Sequence, residues 1–400
     1  MTDVSIEFHP LTFVPEGDDV VVGRAETGSF AVLPKDGADL LRCLSSGMTA
    51  TEAAEWYEQS FGEPVDIDDF LESMEELGFI QPPGTADAPP AQAPPPRLQR
   101  LGKALFSVPA WCAYAALVAG AVIELIAHPS LRPTSSQVYF TGSLVTVQII
   151  LMAGQMPLAF LHEGYHVLAG QRIGLRSRLG ISNRYTYVVF ETINNGLFSV
   201  PKNKRYLPIL AGMLIDLEVV CALDLTAAAL RHGDGAIPLA GRLCLALSYT
   251  VLARLGWQFL LHLRTDLYYV LSTALNCYDL HEASRSIFFN RLRRLSGRRG
   301  RMVDETQWTD RDRKIGAWYG WLIVFGFLAT ISLTAFVTGP VGFGYVERLV
   351  RGVMAGVGTW RFWDSLISLS LLALQFALPA YLARRKRRRS AGRRPRLLTA

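Results

Sequence analysis

The chain has 400 residues, half of them hydrophobic, a positive mean hydropathy and a net charge of only +5. So much apolar material excludes an ordinary soluble globular domain and points to a membrane protein. Five cysteines (Cys43, Cys112, Cys221, Cys244, Cys277) stand singly, odd in number and without C-x-x-C spacing, which suggests neither a disulfide framework nor a thiolate zinc site and reads as buried free thiols.

Charge is unevenly spread. Acids greatly outnumber bases before the proline-rich stretch Pro82 to Pro96, and bases dominate after it. No basic segment followed by an apolar core opens the chain, so the first domain is expected to stay in the cytosol. Residues 1–81 read as a small α+β domain, with extended runs at Val20-Val21-Val22 and Phe30-Ala31-Val32-Leu33 joined through Glu26-Thr27-Gly28. Thr49 and Glu52 have the spacing of a capping box, and Phe70, Met74 and Leu77 share a helix face that ends at Gly78. Residues 82–103, rich in Pro, Ala and Gln, read as an extended linker and a domain boundary.

Beyond the linker, residues 104–384 contain about six apolar runs, each near the ~20 helical residues needed to cross ~30 Å of hydrocarbon. They fall near 104–127, 143–168, 207–230, 239–262, 316–338 and 361–383. With the N-terminus inside, six crossings return the C-terminus to the cytosol. The basic clusters Arg172 to Arg205, Arg285 to Lys314 and the tail Arg384 to Arg396, which alone holds nine Lys or Arg, then all lie on the cytosolic side. The tail, residues 385–400, directly follows a span, so it reads as topology and anionic-lipid contact rather than nucleic-acid binding.

The second run contains His162-Glu163-Gly164-Tyr165-His166, an H-E-x-x-H pattern in a chain with only seven histidines. Positions four apart on a helix share a face, so both imidazoles can reach one ion. Zinc with three protein ligands keeps a position for water, and Glu163 is placed to take that water's proton. Ionisable groups inside an apolar helix are costly and mark function. A third ligand must come from another segment near the same membrane face. Asp266, after the fourth run, and Asp216, within the third, both qualify; Asp216 can instead hydrogen-bond a ligating imidazole. His262, one turn before Asp266, reads as an interfacial histidine. Between the second and third runs, Arg184 to Phe190 and Leu197 to Val200 flank Asn194-Asn195-Gly196, a hairpin turn signal.

The membrane part resembles the site-2 protease superfamily, and most closely its branch of peptide zinc metalloproteases associated with ribosomal peptide biosynthesis. That branch carries an L-D-G-Y-Y-V-L-S segment, which Thr265-Asp266-Leu267-Tyr268-Tyr269-Val270-Leu271-Ser272 matches, with Leu267 where the family has glycine. The resemblance implies Asp266 as the third zinc ligand. Ala211-Gly212 through Asp216 resembles the family's A-G-x-x-x-E/D stretch and implies packing, or support of a ligand, by Asp216. Residues 1–81 resemble PqqD-like winged-helix domains, which bind the leader of a precursor peptide, and their acidic surface disfavours DNA. Together these imply a mostly α, about six-helix transmembrane zinc endopeptidase in the cytoplasmic membrane, with both termini cytosolic. Its substrate would be a leader-bound precursor peptide. The competing readings are an intramembrane protease of a membrane-anchored, anti-sigma-type regulator, and a non-catalytic membrane binding or export partner.

Overall fold

The structure is a computed structural model and describes residues 6–82, 95–184, 187–277, 280–296, 303 and 310–391. The N-terminal domain begins with an antiparallel sheet in the order β1 (Thr12–Glu16), β2 (Asp19–Arg24), β3 (Ser29–Pro34), with Val21 opposite both Val14 and Val32. Valine-rich β2 is the central strand because its side chains bury on both faces. Three helices follow: α1 (Lys35–Ser45), α2 (Ala50–Phe61) and α3 (Ile67–Glu76). The Thr49 capping box closes α2, Asp66 caps α3 by accepting from the Asp69 N–H, and Gly78 turns the chain at φ +69°. Val20, Val22, Ala38, Leu41, Met74 and Phe79 form the core, and Phe8 pairs with Ile80, so the domain closes on itself by residue 81.

Of the expected linker, residues 83–94 lie outside the described residues. Its end is helical, because Gln99–Leu105 forms α4, which packs on the next long helix so closely that a Cβ at Gly102 would meet the Leu168 carbonyl at 2.4 Å. The membrane part continues with α5 (Val108–Ala127), α6 (Leu144–Arg172), β4 (Arg176–Arg184), β5 (Tyr187–Asn195), α7 (Lys202–Leu230) and α8 (Leu239–Trp257). It ends with α9 (Asp266–Leu275), α10 (Leu280–Leu295), α11 (Asp310–Leu333), α12 (Gly339–Met354) and α13 (Trp360–Ala391). Among the described residues, six helical stretches are long and apolar enough to cross a membrane: α5, α6, α7, α8, Val324–Met354 and Trp360–Leu378. Their outer faces expose large apolar side chains such as Ile123, Ile126, Phe325 and Phe336, suited to hydrocarbon contact. Helix α7 is the most enclosed, packed against α5, α6 and α8.

Several boundaries differ from the sequence reading. The fourth apolar helix stops at Trp257, after which the chain turns through a 3-10 segment at Leu261–Leu263. The fifth lies further along than 316–338: a π turn over Thr334–Thr338 carries the helix past Gly339-Pro340, with the Gly339 N–H bonded to the Thr334 carbonyl five residues back. The hairpin is also shifted. Strands β4 and β5 pair from Arg176↔Asn195 to Arg184↔Tyr187, so Asn194-Asn195-Gly196 ends β5 rather than forming the turn, and Gly196 leaves the sheet at φ +83°. All five cysteines are free, but only Cys221 and Cys277 are buried, and Cys112 is exposed on α5. Helix α13 runs to Ala391 and so includes the start of the basic tail; residues 392–400 lie outside the described residues.

The N-terminal sheet docks on the segment that leads into α7. Phe30 meets Phe198 edge-on with ring centres 5.9 Å apart. Arg205, only 1% exposed, donates to the Val200 carbonyl (2.9 Å) and the Phe198 carbonyl (3.2 Å) and forms a 2.7 Å ion pair with Glu16. Removing one partner of a buried pair leaves an uncompensated charge, at a cost of about 3–5 kcal/mol. Glu16→Gln is therefore expected to lower the Tm and to accelerate amide exchange in β1, β2 and residues 196–206. Unchanged exchange would show that the pair does not hold the domain.

Candidate metal centre

Helix α6 places His162 and His166 one turn apart, with ring centres 4.9 Å apart, and both side chains are buried. Each ring is fixed from behind through Nδ1. His166 Nδ1 lies 2.7 Å from the Pro208 carbonyl oxygen, and His162 Nδ1 lies 2.9 Å from Asp216 Oδ2. A carbonyl oxygen and an ionised carboxylate are acceptors, so these contacts favour a proton on each Nδ1 and turn each Nε2 toward a common point. Those Nε2 atoms face each other at 3.2 Å, and Asp266 Oδ2 lies 3.4 Å from both.

Asp266 reaches this point as the first residue of α9, where Thr265 precedes the helix in extended conformation. Its backbone N–H donates to Gln258 Oε1 at 3.0 Å, and Thr265 Oγ1 donates to the Gln258 carbonyl at 2.6 Å. Arg264 makes the bend from the 3-10 segment at φ +56°. Burial acts to raise the Asp266 carboxyl pKa, but the imidazoles of His162 and His166 outweigh it and hold the group below the usual carboxylate range. It is therefore an anion at neutral pH.

Asp216 sits on the far side of the His162 ring from this convergence. It is held by Arg254 of α8, whose Nε donates to Oδ2 at 2.9 Å and whose Nη2 donates to Oδ1. A carboxylate engaged by a bidentate guanidinium and an imidazole N–H orients the ring and raises its basicity. Of the two aspartates left open by the sequence, the structure thus puts Asp266 at the Nε2 face and Asp216 behind it. His262 is elsewhere: it is buried against Gly326 and Phe327, with Nε2 3.2 Å from Thr330 Oγ1.

The residues present fit a divalent metal. Three acceptor atoms, from His162, His166 and Asp266, lie within 4.8 Å of one another, and Asp266 Oδ2 is buried without a hydrogen bond. With both Nδ1 atoms protonated, two Nε2 lone pairs and a carboxylate oxygen at this spacing repel one another unless a proton or a metal ion lies among them. Two imidazoles and one carboxylate are a donor set for zinc with a position left for water. The wall of the site is also shaped for close approach. A Cβ at Gly212 would come within 2.3 Å of His166 Nε2 and 2.5 Å of His162 Nε2. Gly212→Ala is therefore expected to displace the rings and lower bound zinc at least tenfold, by the usual loss when a ligand's support is disturbed. Retention of full zinc content after dialysis would show that the rings do not need this gap.

Glu163 is half-buried and faces, with His162, His166 and Asp266, a cavity of about 1190 Å³. This cavity extends along α6 to Val138 and Tyr139 at the opposite end and is lined by α6, α8 and α13 as well. Sequence reading missed Arg254 and the Pro208 carbonyl. The signal for Arg254 was present, as an arginine inside an apolar helix needs a buried partner. Nothing in residue identity marks a backbone carbonyl. Comparison with protein-family models, with curated proteins and with solved structures yields no match.

Proposed function

We propose that this chain is a membrane-embedded zinc endopeptidase in which His162, His166 and Asp266 hold the metal and Glu163 is the catalytic base. The observation that carries the reading is the convergence of two Nε2 atoms and a buried carboxylate oxygen beside Glu163 at the end of a large cavity. Zinc, when bound, supplies Lewis acidity toward a carbonyl and toward water. Glu163 takes the proton of the attacking water on its carboxylate and returns it to the leaving amine nitrogen. Asp216, locked by Arg254, holds His162 in one tautomer, and the Pro208 carbonyl does the same for His166. The surrounding apolar helices limit water, which strengthens each of these interactions.

In this reading the six apolar helices make a multi-pass protein of the cytoplasmic membrane, with both termini and the site toward the cytosol. The basic clusters support that orientation. The strand-then-helix order of the N-terminal domain, its closing bridge and its acidic face support a PqqD-like role in holding a precursor peptide. The docking of this domain beside Arg205 supports delivery of that peptide to the membrane part. The apolar character of the cavity also suits a membrane-anchored regulator as substrate. Metal analysis of the purified full chain tests the central statement. About one zinc per chain is expected, removable by a chelator together with peptide hydrolysis and restored with it. A chain that takes up no zinc after loading is not this enzyme.

A further inference from the structure

Helix α6 carries a second pattern beside the histidines. Gln148, Gln155 and His162 are each seven residues apart, and all three line the cavity. Seven residues are two helical turns, so the three side chains share a face at intervals of about 10 Å. An extended peptide advances about 3.3 Å per residue, so each interval matches roughly three residues of extended chain. Among the described residues, each glutamine is anchored at one end only. Gln155 Nε2 donates to Thr250 Oγ1, and Gln148 Oε1 accepts from Ser368 Oγ at 2.9 Å. The Gln155 carbonyl oxygen and the Gln148 amino group remain to serve the cavity. The intervening wall is apolar, with Leu151, Met152 and Met156 on α6 and Phe376 on α13.

A peptide in such a cavity must satisfy its main-chain N–H and C=O groups without water. A carboxamide is a neutral side chain with both a donor and an acceptor; here Gln155 presents its acceptor and Gln148 its donor, and together they offer what a neighbouring strand would. We propose that Gln148 and Gln155 form a two-rung track that holds the main chain of an extended, uncharged, apolar substrate segment. Gln155 meets it about three residues from the cleaved bond and Gln148 about six. The inference rests on the peptidase reading and deepens it by giving the substrate's class and the length the site measures. Two plainer roles compete: hydrogen-bonded glue between helices, and a wet path to the metal.

The test uses the zinc-loaded full chain in lipid nanodiscs and capped alternating Ala-Leu peptides of two to eight residues that end in a hydroxamate. One series carries the chelating group at the N-terminal end and the other at the C-terminal end, so that either chain direction can be read. In one series, affinity is expected to rise at about three and again at about six residues. Gln155→Leu should remove the first rise, about tenfold, and Gln148→Leu only the second. Thr250→Val, which removes the glue and keeps the glutamine, should preserve both. Gln155→Met, of matching length, provides the reading if leucine disturbs packing. The track is overturned if wild type shows no length step, if the variants weaken all lengths equally, or if Thr250→Val acts like Gln155→Leu. Hydroxamates of no length binding would remove the metal reading as well, whereas length-independent binding removes the track alone.

Discussion

Replacing Glu163 with glutamine is expected to leave zinc in place and to lower peptide hydrolysis by about a hundred- to ten-thousand-fold, the range for losing a positioned general base. The carboxamide keeps the side chain's size and one acceptor oxygen but cannot take a proton. Glu163 is not among the three groups whose acceptor atoms converge, so the metal has no reason to leave. The diagnostic result is therefore a split: metal content near that of wild type with kcat collapsed. Substantial turnover in Glu163→Gln would assign the base elsewhere, and loss of zinc would place Glu163 in the coordination sphere.

The second large effect separates the two aspartates. In the proposed zinc site, Asp266→Ala removes one of the three protein donors that converge among the described residues and is expected to abolish stable zinc binding. Asp216→Asn should weaken zinc by about ten- to a hundredfold, since it disturbs the orientation and basicity of His162 without removing a donor. It also strips Arg254 of its counter-charge, so Arg254→Ala should reproduce part of the loss. Equilibrium zinc titration of the three variants gives the order directly. A chain that keeps zinc after Asp266→Ala and loses it after Asp216→Asn reverses the roles.

Local geometry explains which parts of this site were legible in the sequence. His162, Glu163 and His166 lie within one helical turn and a half, so spacing alone brings them together. Asp266 is a hundred residues from His166, and only its Tyr-Tyr surroundings nominated it over Asp216; composition alone could not separate them. Arg254 lies inside the 239–262 run, where an arginine calls for a buried partner, but nothing in its sequence neighbours names Asp216 as that partner. The hairpin failed for a different reason. Asn194-Asn195-Gly196 is a strong turn signal, whereas Arg176 to Arg184 offers only Leu179 and Ile181 in alternation, so pairing partners overrode local preference. In the N-terminal domain, by contrast, turn residues, caps and valine runs all agree, and the elements fall where they were expected.

The place where the N-terminal domain rests has a practical meaning. Arg205 and Pro208 are three residues apart on α7, about one turn, so the residue that receives Glu16 and the carbonyl that steers His166 share the same stretch of helix. A shortened chain that begins after residue 95 would not be the membrane part with a mere accessory removed. It would carry a stranded guanidinium beside the support of one proposed metal ligand, so weak zinc retention in such a fragment would report the cut rather than the intact chain.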